Sequence, residues 1–484
     1  MTDAPEKLSR GKLVIFALGQ LGWSLASYGV GSLVTYFYMP PETTQSAIFP
    51  PFLFQGAVLG VFTIIGVITF GARFFDAVTN PLIASWSDRS RARLGRRRFF
   101  MLVSAVPFAV FSVLVFVPLQ YFRSQPSVAA SWMNVGWLSV TILVFYFFFV
   151  MYTAPFNALI SELGHNPRER LIISTAISVT WALGFGLGSF VYEFQGMFER
   201  SGMSSVRSFQ LVQALFAAAS MLLMLLPVFF INEHRYAKAS VSSESTVEAL
   251  RSSLRNRGFL AFLGSELLYN VCQMIIQIGL VYYVTTLLRL DKELTSLLIG
   301  VMFVLSFAFY PLVTWSALRY EKKRVLVVGF VLLTLLFAMF TFMGILPVPA
   351  LLYAWVVVGF AALPNAIFGI VPNAVVADIA EADGIETGNF KAGMFFGIRS
   401  FEINVGVSVA NILFPSLLTL GMTIEHPYGI RMTAIVAAAI CVLGMAALFA
   451  YNEKAVLRSL AKKERLTGGS AREVGLEAGT SEKR

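Results

Sequence analysis

Apolar side chains run along this 484-residue chain in stretches of about twenty residues or more, separated by short polar connections. Stretches of that length cross the hydrocarbon of a bilayer as helices. Twelve occur, at approximately 12–39, 56–87, 98–121, 135–160, 171–195, 208–232, 258–288, 294–318, 325–346, 350–377, 393–420 and 429–452. The shorter alternating segments of a membrane barrel are absent. The first run, from Lys12 to Met39, is too long for the core of a signal peptide and has no clear cleavage site, so it is a retained helix. Several runs exceed the minimum, which leaves room for tilt. The pattern predicts an all-α membrane protein of twelve transmembrane helices.

The polar connections organise those helices. Residues 233–257 are the longest and divide the chain into a bundle of six helices at 1–232 and another at 258–452; 453–484 is a polar tail expected to be disordered. Lys and Arg gather at the amino terminus, after the second, sixth and eighth spans, and in the tail, whereas 40–55, 347–349 and 421–428 have none. That asymmetry places both termini in the cytoplasm of a multi-pass protein of the cell membrane, a bacterial inner membrane by expectation. The bundles also repeat each other. Pro81-Leu-Ile-Ala-Ser-Trp86 corresponds to Pro311-Leu-Val-Thr-Trp315, and Asn157-Ala-Leu-Ile-Ser-Glu162 to Asn373-Ala-Val-Val-Ala-Asp378. Both matches join corresponding helices of a six-plus-six frame, in which a solute site near the midplane is expected.

Composition sharpens this. The chain is 57% hydrophobic and 13% charged, with a mean hydropathy of +0.73. Its net charge of +10 invites a nucleic-acid reading, but the positive residues fall in alternate loops, so orientation explains them and no nucleic-acid partner is expected. Cys272 and Cys441 lie within apolar helices as packing residues. His165, His234 and His426 fall in loops, which counts against a buried histidine-based catalytic or metal site. No enzyme constellation is evident, and no cofactor is expected.

The candidate chemistry is ionisable and buried. In the second span Arg73, Asp76 and Asn80 share one helical face. Asp76 lies about 16 Å from the helix end at 1.5 Å per residue. Charged groups at that depth mark solute or ion paths. The Asp76 carboxylate suits a Na+ ion or a proton, and Thr79 and Asn80 could add neutral oxygens; an Arg73–Asp76 pair that only offsets burial is the alternative. The seventh span carries a stripe of Glu266, Asn270, Gln273 and Gln277, which lines a cavity or bonds neighbouring helices. The eleventh carries Arg399, Glu402, Asn404 and Asn411, with Arg399 and Glu402 spaced to pair. Gly184, Gly186 and Gly188 permit close helix packing, and Trp181 and Tyr28 could wall a cavity. The run Asp88-Arg89 to Gly95-Arg96-Arg97-Arg98 is more patterned than orientation alone needs.

Arg73-Phe-Phe-Asp76-Ala-Val-Thr-Asn80-Pro81 with Asp88-Arg89 and Gly95-Arg96-Arg97-Arg98, Pro155-Phe-Asn-Ala-Leu-Ile-Ser-Glu162 with Arg168-Glu169-Arg170, and Ala377-Asp378 with Thr387-Gly388 and Gly393 together resemble the major facilitator superfamily. Within it the chain is similar to the glycoside–pentoside–hexuronide:cation symporter family, which includes melibiose permease. The resemblance implies alternating access, with solute movement coupled to Na+, Li+ or H+. It implies that Asp76 is the cation-site carboxylate, with Thr79 and Asn80 beside it, and that Asp88, Arg89, Arg96 and Arg97 latch the cytoplasmic side. It also implies a solute pocket, with Arg73, Ser24, Thr153, Asn157, Asn270, Gln273, Gln277, Arg399 and Asn404 as candidates. The chain departs from the pattern at Asn80, Ser24 and Thr153, where the family has acids, and at Asn404, where it has a lysine. Two functions follow as expectations: a cation-coupled symporter of a sugar or glycoside-like solute, working as a monomer in the bilayer, or an uncoupled translocator of lysolipid-like amphiphiles on the same fold.

Overall fold

The computed structural model describes residues 6–41, 48–90, 92–164, 167–236, 251–388 and 392–460. The first half contains α1 (Arg10–Tyr38), a small hairpin of β1 (Ala57–Leu59) and β2 (Phe62–Thr63), α2 (Ile64–Asp88), α3 (Arg96–Leu114), α4 (Val128–Leu163), α5 (Pro167–Ser189), α6 (Val191–Arg200), α7 (Ser205–Phe230) and the single turn α8 (Glu233–Tyr236). The second half contains α9 (Arg257–Tyr282), prolonged by a π-helical turn at Tyr283–Leu287, then α10 (Glu293–Arg319), α11 (Lys322–Phe342), α12 (Ala350–Thr387), α13 (Ala392–Leu418) and α14 (Tyr428–Phe449).

Eleven helices among the described residues are long and apolar enough to cross a membrane, α5 and α6 counting together. The helix expected as the twelfth crossing is α2, whose 25 residues are long enough but whose apolar run is broken by Arg73 and Asp76. Large apolar side chains stand on the outside of the bundle: Leu318 is 82% exposed and Val304 70%. Facing lipid, such a side chain costs nothing, and the helices are therefore apolar nearly all round.

Helix starts follow local capping. The Thr63 hydroxyl accepts from the Gly66 N–H at 3.2 Å, and Asn256 caps α9 at the Phe259 N–H at 3.0 Å. The Thr63 cap corrects the second span, drawn from 56: residues 57–63 turn back as a hairpin before the helix begins. The third span stops at Leu114 rather than 121, and the fifth breaks at Phe190. Residues 453–460 of the tail are helical; the rest of the tail, and 237–250 of the central connection, lie outside the described residues. His234 sits in α8 rather than in a loop.

Within the first half α1 packs on α5 and α7, α3 on α4 and α7, and α2 on α4; within the second, α9 packs on α13 and α14, α11 on α12 and α14, and α10 on α12. The halves meet chiefly through α2 against α13, and α10 against α5 and α6. The polar bonds described between halves lie at the end remote from the basic loops. Thr69 donates to the Asn411 carbonyl at 3.2 Å, the Tyr282 hydroxyl to the Met39 carbonyl at 2.6 Å, and Ser296 to the Ser189 carbonyl at 2.6 Å. The break at Phe190 is what leaves the Ser189 carbonyl, at the last turn of α5, available to another helix. Lys292 completes the seam with an ion pair to Glu199 at 2.6 Å. At the basic end the described ion pairs join elements of one half, and Asn157 and Asn373 are exposed there.

Candidate functional site

In the first half the site is built around α2. Asp76 is twelve residues from Ile64 and twelve from Asp88, so about 18 Å from either helix end at 1.5 Å per residue. It is 1% exposed. Its Oδ2 lies 3.7 Å from Arg73 Nη1, too far for a hydrogen bond but close enough for charge to be felt. Asp76 Oδ1 and Arg73 Nε have no hydrogen-bond partner. The guanidinium instead lies 4.7 Å over the Tyr146 ring and against Gly31 of α1, where a Cβ would come within 2.8 Å of it. A carboxylate buried at mid-depth with one oxygen unclaimed is a ligand-ready group, for a cation or for a proton. The Thr79 hydroxyl donates along its own helix to the Phe75 and Asp76 carbonyls, at 2.8 and 3.2 Å, which uses its proton and leaves its oxygen lone pairs. Asn80 is half-buried one turn on.

The second half presents a network where the first presents an open pair. Arg399 of α13 donates to both oxygens of Glu266 on α9, at 2.8 and 3.0 Å from Nε and 2.5 Å from Nη2, and to Asn373 of α12 at 2.7 Å. This corrects the expected Arg399–Glu402 pair: the guanidinium reaches sideways to a neighbouring helix, where a bidentate contact is available. Glu402 takes a bond from Asn270 at 3.3 Å, and its other oxygen is unpartnered. Gln273 donates to Asn365 at 3.1 Å, and Asn365 to Ser306 at 3.0 Å. The amide stripe therefore bonds neighbouring helices along much of its length, with Gln277 and Asn404 half-buried beyond it.

At the basic end the two halves carry the same device. The Glu233 carboxylate receives the Arg97 and Arg98 backbone N–H groups at the start of α3, at 3.0 and 3.2 Å. The Glu453 carboxylate receives the Lys322 and Lys323 N–H groups at the start of α11, at 2.8 and 2.9 Å. A carboxylate at a helix N-terminus satisfies orphan donors and meets the positive end of the dipole. Arg97 then holds Glu162 at 3.0 Å, and Lys322 holds Asp378. Arg98 donates to the Val228 carbonyl at 2.7 Å, and Lys323 to the Phe449 carbonyl at 3.0 Å. Gly95 is required here: its φ is +117°, and a Cβ would sit 2.4 Å from the Glu233 carboxylate. Partial burial raises the Glu453 carboxyl above its ordinary range, outweighing the two backbone bonds that favour its charge.

Several candidates land differently from expectation. Ser24 is buried against Gly184 of α5 and donates to the Leu21 carbonyl at 3.1 Å, so it is part of helix packing; Thr153 is buried as well. In this conformation Ser24 sits in the contact between α1 and α5, and Thr153 of α4 is covered. Trp181 meets Phe185 at a tilt of 30° with centroids 4.6 Å apart, and Tyr28 meets the same ring edge-on at 5.7 Å. Cys272 and Cys441 are buried free thiols. Arg96 and Arg97 both hold Glu162, at 2.7 and 3.0 Å, but inside one half. Arg89 is exposed. The side chains of Asp88, Arg168 and Arg170 lie outside the described residues. Sequence reading missed Glu233 and Glu453, although Asn232-Glu233 and Asn452-Glu453 each follow the last helix of a half.

Residues 15–452 match the family model described as MFS/sugar transport protein. The chain is 25% identical over 274 residues to an isoprimeverose transporter of Lactiplantibacillus pentosus, covering 56% of this chain and 54% of that one; it thus spans about half the length of that relative. It is 22% identical over 337 residues to a glucuronide carrier protein homolog of Escherichia coli strain K12, covering 70% and 71%. Its fold superimposes on the crystal structure of a D-xylose-proton symporter with a TM-score of 0.64 at 15% identity, over 91% of this chain and 96% of that one.

Proposed function

We propose that this chain, which belongs to the MFS/sugar transport protein family, is a cation-coupled symporter of glycosides. The observation that carries the reading is Asp76: buried at mid-depth, in the helix that packs against the other half, with one carboxylate oxygen unclaimed. A cation or proton bound there neutralises the charge that Arg73 balances only at 3.7 Å. Loading the site then favours one packing of α2 against α13 over another, which is what coupling by alternating access requires.

The basic end is cytoplasmic in this reading, with both termini, in a bacterial inner membrane. The described bonds between halves then close the outer side, so the conformation is open inward. The relatives' printed substrates point to disaccharides such as isoprimeverose and to glucuronides as the solutes to try.

The test is uptake of isoprimeverose and of a glucuronide into proteoliposomes, with an imposed Na+ gradient, a pH gradient or neither. Accumulation against a gradient with one cation supports symport. Transport that only equilibrates under all three conditions supports an uncoupled translocator, a reading favoured by Ser24, Thr153 and Asn80, none of which can carry the second negative charge of a stronger cation site.

A further inference from the structure

The geometry points to a second binding site, for a phosphate group, at the outer ends of the second half and away from the solute path. A cavity of about 440 Å³ opens between the π-helical turn after α9, the connection from α11 to α12, and the connection from α13 to α14. Two guanidinium side chains line it, Arg289 and Arg431, and no carboxylate does. Arginines are out of place here by the rule that puts basic residues on the opposite side.

Arg431 spends one N–H on the Thr341 carbonyl and makes no ion pair among the described residues, leaving four donors of a guanidinium to an incoming acceptor. Glu425, in the rim connection, is not among the residues that line the cavity. Arg289 is the one non-glycine residue among those described with positive φ, at 56°. That conformation costs free energy at an ordinary residue, and strain of this kind gathers at ligand sites. It arises because the chain leaves the π-turn through bonds from Leu288 N–H to the Tyr283 carbonyl and from Leu290 N–H to the Val284 carbonyl, at 3.2 and 3.1 Å, which turn the Arg289 side chain into the cavity wall. The wall is closed by Gly344, φ +74°, where a Cβ would meet the Leu287 carbonyl at 2.3 Å.

Two arginine forks without an opposing acid match the planar, bidentate recognition of a phosphate. Leu346 and Val348, 48% and 41% exposed, also line the cavity and give an apolar margin. The ligand class is therefore a phosphate group of net negative charge, available either from an anionic lipid headgroup of the outer leaflet or from a soluble anion; the phosphate of phosphatidylcholine, neutralised by its own choline, is the control. The site sits three residues from Lys292, whose pair with Glu199 joins the two halves, so occupancy braces the closed outer side.

The test melts the full-length protein in detergent, in sodium phosphate and in sodium chloride of equal ionic strength, and then in nanodiscs of phosphatidylglycerol and of phosphatidylcholine with chloride. Phosphate at about ten times its Kd should raise the melting temperature of the wild type by about 1–3 °C. Arg289→Gly should raise the melting temperature in chloride, by relieving the left-handed residue, while losing the phosphate increment; Arg431→Gln should lose the increment too. These opposite signs separate lost binding from lost folding. An increment in both phosphate and phosphatidylglycerol supports the site with a headgroup as its occupant; an increment in phosphate alone supports it with a soluble anion. Equal melting in all matched pairs, or a full increment retained by both variants, overturns it.

Discussion

The two halves of this protein agree at their basic ends and differ at their centres. Glu233 and Glu453 each cap the helix that opens after a basic turn, and Glu162 and Asp378 each receive a cation from that turn. The centres share no such plan. The first half holds a loose Arg73–Asp76 pair at 3.7 Å with unclaimed atoms on both residues. The second holds Arg399 in a bidentate contact with Glu266 and Glu402 in a bond from Asn270, with one Glu402 oxygen left unpartnered. Ends of helices need their orphan groups satisfied whatever the protein moves, so the repeat survives there. At the centres, satisfied groups hold the bundle together and unsatisfied ones are free to bind.

That contrast sets the order of expected effects. Glu266→Ala should be the most damaging, because it strands Arg399 in a buried setting; breaking such a pair costs about 3–5 kcal/mol, visible as a large fall in melting temperature in detergent. A fall no larger than that of Asp76→Asn would remove the distinction between a satisfied centre and an open one. Next, Glu233→Ala should cost about 1–2 kcal/mol through the lost cap. Glu453→Ala should cost less, since burial raises the Glu453 carboxyl and weakens the charged cap, whereas Arg96 adds a contact at 3.7 Å to Glu233. Equal losses would mean that the caps contribute only their backbone bonds. Smallest is Lys292→Gln, which removes the ion pair between halves and should raise labelling of a cysteine placed at Thr69, from the side remote from the basic loops, about fivefold, an equilibrium shift of about 1 kcal/mol. Unchanged labelling would assign the closure of that end to packing and neutral hydrogen bonds alone.

Much of this was legible in the chain. The apolar runs located the crossings, because a bilayer leaves few alternatives, and Asp76 stood out as a charge at depth. The Asn157–Glu162 and Asn373–Asp378 match foretold corresponding helix ends, and the structure gives Glu162 and Asp378 the same job. What could not be read was sideways. Helical spacing allowed Arg399 to meet Glu402, but the choice of Glu266 depends on how close α9 packs to α13. Ser24 packs against Gly184 of α5, a contact set by helix rotation, which a nearly uniform apolar pattern does not encode. The hairpin before α2 was hidden because Ala57–Thr63 is as apolar as a membrane helix.

The most direct test compares wild type with Asp76→Asn in two assays on the same proteoliposomes: accumulation of solute driven by a cation gradient, and exchange of labelled for unlabelled solute at equilibrium. Asn keeps the shape of Asp76 and removes its charge. If Asp76 is the coupling ligand, accumulation falls at least tenfold while exchange persists and the melting temperature stays near that of the wild type. Accumulation equal to wild type would contradict the role given to Asp76.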